Sequence, residues 1–154
     1  MPIIESRLKE LGVVLPAPPA PVASYVPYTI SSNLVFISGQ IPILDGAVKH
    51  VGKLGVDMHL EGGQAAAQLC AINLLAQLKA ACGGDLDRVV KCVRLGVFVN
   101  ASPEYVDHPQ VANGASDLIA AVLGEAGKHA RAAVGVGSLP RGVAVEVDAI
   151  FEIK

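Results

Sequence analysis

From Val143 to Ile153 the chain alternates without a break. Val143, Val145, Val147, Ala149, Phe151 and Ile153 are apolar, and Ala144, Glu146, Asp148, Ile150 and Glu152 stand between them. A period of two marks a strand with one buried face, and a slip of one residue would turn every side chain the wrong way. The segment is therefore expected to be a strand of fixed register, with three carboxylates on the side away from the core. One strand cannot bury such a face alone, so the chain must supply a sheet and a layer to cover it.

The rest of the chain offers those parts. Ile3, Ile4, Leu8 and Leu11 recur at helical spacing, with Gly12 placed as a C-cap, which predicts a short amphipathic helix. Pro16 to Pro21 admits neither helix nor inner strand and reads as an extended connector. Ser24 to Ile30 and Leu34 to Ile41 are rich in β-branched and aromatic residues around a Ser31-Ser32-Asn33 turn, and a third short strand is expected near Val48 to Val51, after the Asp45-Gly46 turn. Gly62 to Ala81 is the longest helix and is apolar nearly all round, as a helix buried on more than one side would be; Gly83-Gly84 ends it. Val89 to Val99 is a long strand, with Val93, Leu95, Val97 and Val99 on one face and Cys92, Arg94, Gly96 and Phe98 on the other. A helix over Val111 to Leu123 and strands over Arg131 to Val136 and Val143 to Ile153 complete the order.

Two helices can cover only one face of such a sheet. The other face, with Arg94, Phe98, Glu146 and Ile150, is part polar and part apolar, which suits a contact between copies. The pattern therefore predicts a homo-oligomer of open stoichiometry. A length of 154 residues fits one domain, 1–154, with residues 1–21 as N-terminal helix and Pro-rich connector.

Composition narrows the function classes. Hydrophobic residues make up 52%, yet the longest uncharged run, Leu11 to Leu44, holds Pro16, Pro18, Pro19, Pro21, Pro27 and Pro42 and cannot form a spanning helix. No basic n-region with an apolar core opens the chain, so a cytoplasmic location is expected. Cys70, Cys82 and Cys92 lack CxxC spacing and lie in apolar segments, as reduced core cysteines do. His50, His59, His108 and His129 are scattered, so no metal site is expected. A net charge of −2, six aromatic residues and no Trp argue against nucleic acid as a partner.

Among chemistry-bearing residues Arg131 stands first. It opens a strand whose Val134 and Val136 point the other way, which predicts that it faces away from the core. Its guanidinium fork matches a carboxylate in two parallel bonds. On the pattern alone an interface salt bridge or a solvated strand end is the simpler explanation. Glu146, on the non-core face of the last strand, is placed to hold a water and move its proton, or is simply a solvated carboxylate. Ser38-Gly39-Gln40 ends a strand where a ligand could approach the backbone, though a plain turn explains it too. Tyr25 and Asn113 have ordinary packing and capping explanations.

Taken together, two blocks resemble the Rid family (YjgF-like, endoribonuclease L-PSP). Asn33 to Pro42, reading NLVFISGQIP, resembles its "SGQIP" strand. Ala130-Arg131 to Val136, then Leu139-Pro140, then Val145 to Ala149, resembles its C-terminal signature, with Tyr25 in place ahead of the first block. The resemblance implies an α+β, chorismate-mutase-like fold: a mixed β-sheet with two helices packed on one face, assembled as a homotrimer with three clefts between subunits. In the deaminase branch, the residue matching Arg131 binds a substrate carboxylate and that matching Glu146 positions a hydrolytic water. Those matching Tyr25, Ser38, Gly39 and Asn113 line the same cleft. The implied reaction is cofactor-independent hydrolysis of enamine or imine intermediates to a 2-oxo acid and ammonia. A non-catalytic, small-acid-binding regulatory trimer and a ribonuclease are the alternatives. His129 replaces the branch's usual proline and Ala133 its frequent cysteine. The stretch Asn113 to Asp117 and the run GKHARAAVG, Gly127 to Gly135, resemble a separate subgroup with a longer N-terminus, often named only as "putative endoribonuclease".

Overall fold

The computed structural model describes residues 2–18 and 24–154. Helix α1, Ile3–Glu10, is fastened at its start by Asp87, whose carboxylate accepts from the backbone N–H groups of Ile3 and Ile4 at 2.9 and 3.0 Å. Gly12, at φ +70°, terminates it as expected. Of the predicted Pro16 to Pro21 connector, residues 16–18 carry no regular structure and 19–21 lie outside the described residues.

The main sheet has the order β1-β2-β7-β5-β6, from β1 (Tyr28–Ser31), β2 (Leu34–Gln40), β5 (Val89–Asn100), β6 (Ala130–Val136) and β7 (Val145–Ile153). All neighbours are antiparallel except β5 and β6, so the sheet is mixed. β7 lies at its centre, and its apolar row is buried as the alternation requires. α2 (Leu60–Ala81) and α3 (His108–Leu123) cover one face and touch each other. Val111, Leu118, Ile119 and Val122 of α3 are all buried.

Four expectations need correction. The first strand is only Tyr28–Ser31, because Pro27 lacks an N–H and the preceding residues are held instead by Ser38, which bonds the Pro27 and Val26 carbonyls. The strand expected near Val48 to Val51 is the second arm of a separate hairpin, β3 (Ile43–Leu44) with β4 (Ala47–Val48). Asp45 and Gly46, at φ +51° and +77°, form its two-residue turn, and His50 at φ +54° leaves Val51 as a lone bridge to Val143. In β5 a bulge between Cys92 and Arg94 breaks the period, so Cys92 is buried while Val93 is only half-buried. Both helices also start earlier than expected, at Leu60 and His108.

Gly114 of α3 lies so close to α2 that an added Cβ would collide with the backbone carbonyl of Gln64. A backbone obstacle cannot swing aside, so Gly114→Ala is expected to force the helices apart at a cost of about 1–3 kcal/mol. Thermal unfolding would register this as a midpoint several degrees lower.

The cysteines are fully covered. Burial pushes the Cys92 thiol up to about 12 and raises Cys70 and Cys82 as well, with the nearby Glu146 charge adding to the effect at Cys70. A thiolate is the reactive form. None of the three should react with a disulfide-exchange reagent in the native protein, and all three should after denaturation. Among the described residues no helix is long and apolar enough to cross a membrane.

Candidate functional site

At the bulge that ends the β2–β7 pairing, between Ile37 and Gln40, lies a cleft of about 960 Å³. Tyr25, Ser38, Gly39 and Glu146 all line it. Gly39 lets the two strands' groups approach closely: an added Cβ would overlap the Glu146 carboxylate and oblige it to turn aside. Glu146 is half-buried, and that desolvation, reinforced by the like charge of Asp148, raises its pKa. A carboxyl group moved upward in this way sits nearer to a proton-transferring role at neutral pH.

Arg131 is elsewhere. Its register partner on β5 is Leu95, which is buried under the helices, whereas Glu146 is opposite Phe98 on the uncovered face. The expectation that Arg131 faces away from the core is thus corrected. At the β6 edge of the sheet it turns toward the helical layer, and Val134 instead shares the uncovered face. The Arg131 Nη1 donates to Asn113 Oδ1 at 2.8 Å and to Ser116 Oγ at 3.1 Å. Behind Ser116, at 2.8 Å, is His129 Nε2, and His129 Nδ1 is 2.6 Å from the Gly127 carbonyl. A carbonyl can only accept, so Nδ1 carries the proton; in the neutral ring Nε2 then accepts from the Ser116 hydroxyl. This chain of bonds fixes one arm of the fork, and among the described residues Nη2 and Nε have no hydrogen-bond partner.

Two clusters therefore exist in one chain: Tyr25, Ser38, Gly39 and Glu146 in the cleft, and Arg131 with Asn113 at the opposite edge. Sequence reasoning missed the roles of Ser116 and His129, whose bond spans from α3 to the segment just before β6. It also passed over Asn73, whose amide donates to the Ile41 and Ile43 carbonyls at 3.0 and 3.1 Å and so pins one wall of the cleft. Asn73 and Gln77 stand four apart on a helix, which places both on one stripe, and that spacing was the available signal.

A family model described as "YjgF/chorismate_mutase-like, putative endoribonuclease" matches residues 5–148. The chain belongs to this YjgF family. Protein TCP17 of Trypanosoma cruzi is 49% identical over 152 residues, covering 98% of this chain and 94% of that protein. The crystal structure of Atu1372 from Agrobacterium tumefaciens is 52% identical with a TM-score of 0.93, covering 99% and 93% of the two chains. A structure from Shewanella oneidensis, also named "putative endoribonuclease", is 37% identical with a TM-score of 0.92 over 97% and 99%. The mixed sheet with its helices is thus the YjgF fold along nearly the whole chain.

Proposed function

We propose that the protein is a homotrimer, each chain acting as one domain, that hydrolyses enamine or imine intermediates to 2-oxo acids and ammonia in clefts between its subunits. One observation carries this reading: each cluster lacks what the other has. The Glu146 cleft holds a desolvated carboxyl group and no cation among its described lining residues, while Arg131 offers a preorganised fork with no salt bridge to an acid among the described residues. Within a chain they face opposite sides of the sheet, so a neighbouring copy is needed to bring them together. The uncovered face supplies a surface for that contact. Phe36 and Val134 are 40% and 45% exposed there, and the Arg94–Asp148 pair at 3.8 Å is too open to repay its own ordering.

In such a cleft Arg131 and its Asn113 neighbour hold the substrate carboxylate. Glu146 takes a proton from water as the oxygen attacks the imine carbon, the C=N electron pair moves to nitrogen, and Glu146 hands that proton on to the nitrogen. The resulting carbinolamine expels ammonia and leaves the 2-oxo acid. Coupling an amino-acid oxidase or dehydratase to the protein and following ammonia tests this: release should accelerate. No acceleration across several amino acids would remove the catalytic reading. Stabilisation by small acids without turnover would instead favour a binding, regulatory trimer. The ribonuclease in the relatives' names finds little support in a net charge of −2, and steeply salt-dependent RNA binding would be its signature.

A further inference from the structure

Beyond its Glu146 end the cleft continues to the side of α2, and what lies there sets a requirement on the ligand. Gln77 forms part of that wall, is only 2% exposed, and among the described residues its Oε1 has no hydrogen-bond partner. A buried acceptor left unpaired is costly, and native structures rarely tolerate one without a reason. Among the described residues no side chain of the wall donates to it. Ala76, Ile41 and Ile43 are apolar, and both donor hydrogens of Asn73 are committed to the Ile41 and Ile43 carbonyls. Pro16 and Pro18, which line the cleft from the connector side, have no N–H to give. The volume, about 960 Å³, also far exceeds what a three- or four-carbon acid fills.

We infer that this recess is a side-chain subsite, and that Gln77 selects acids whose far end carries a carboxamide. A carboxamide N–H supplies the donor Oε1 lacks, and its carbonyl accepts from the other edge of the Gln77 amide, so both groups are satisfied in one plane. A second carboxylate would bring an acceptor against Oε1 and a negative charge into the cleft that holds Glu146. An apolar end would leave Oε1 as it is. The inference rests on the proposed carboxylate binding by Arg131 and names the substrate class for that same cleft.

Calorimetric titration of the intact protein with three acids tests it: glutaramate, its apolar isostere 5-methylhexanoate, and glutarate. Glutaramate should bind about tenfold more tightly than either. Gln77→Met keeps the volume and removes the unpaired oxygen, so it should fold with an unfolding midpoint no lower than the parent and bring 5-methylhexanoate level with or ahead of glutaramate. Arg131→Ala should weaken all three acids alike and leave their ranking intact. Equal binding of the three by the unmodified protein overturns the Gln77 assignment alone, as does a ranking that survives in a folded Gln77→Met. Failure of all three acids to bind overturns the Arg131 reading, and the subsite with it.

Discussion

Replacing Arg131 with alanine should reduce kcat/KM for ammonia release by about 10²- to 10⁴-fold, with little change in thermal stability. Each charge-assisted hydrogen bond from a guanidinium is worth about 1.5–3 kcal/mol, and a bidentate grip on a carboxylate uses two of them. The stability of the fold should hold because Arg131 lies at the sheet edge, where its intramolecular partners, Asn113 Oδ1 and Ser116 Oγ, can turn to water when it is gone. Arg131→Lys keeps the charge and loses the fork, so it should recover only part of the loss. Ser116→Ala cuts one of the two bonds on Nη1 and leaves the charge in place. It should raise KM several-fold while leaving kcat nearly unchanged, since it loosens the carboxylate grip and not the proton transfer.

Glu146→Gln should abolish turnover and stabilise the protein. General acid–base groups contribute about 10²–10⁴ in rate, and an amide cannot take their place. The stability effect follows from the direction of the pKa shift. Burial and Asp148 raise Glu146 above its ordinary value of 4.5, so the folded chain holds that proton more tightly than the unfolded chain. Stability from this group therefore grows as pH falls through the raised pKa toward 4.5, and at neutral pH the ionised carboxylate is a burden on the fold. A glutamine of the same shape carries no such burden. The unfolding midpoint of Glu146→Gln should exceed that of the parent at pH 7 to 8, and the gap should narrow as the pH is lowered toward 4.5. Binding of small acids should survive the substitution, because the grip on the carboxylate is made by Arg131.

How much of this could be read in the chain depended on whether a segment carries a period. β7 was legible because its nine residues alternate, and α2, apolar nearly all round, from its twenty-two-residue length. β3 and β4 were not, since arms of two residues hold no pattern, and only the Asp45-Gly46 turn marked the place. In β5 the bulge at Cys92 and Arg94 reversed the faces of the residues before it, and no local sequence signal announces such an insertion. The face of Arg131 was misread for another reason. β6 is an edge strand built largely from Ala130, Ala132, Ala133 and Gly135, residues small enough to sit on either side, so Val134 and Val136 alone set the expectation. Tyr25, Ser38, Gly39 and Glu146 share one cleft without Asn113 or Arg131, and the link from Arg131 through Ser116 to His129 is a tertiary contact that no spacing rule could supply.

The claim on which the account turns is that Arg131 and Glu146 serve one reaction from different copies of the chain. Mixing tests it directly: Arg131→Ala and Glu146→Gln are each purified as inactive oligomers, then unfolded together in equal amounts and refolded. In a cyclic assembly a site is intact when one variant supplies its arginine and the other its glutamate, so the mixture should regain about a quarter of the parent's ammonia release. A mixture that contains mixed oligomers by mass yet stays as inactive as its components would contradict the account.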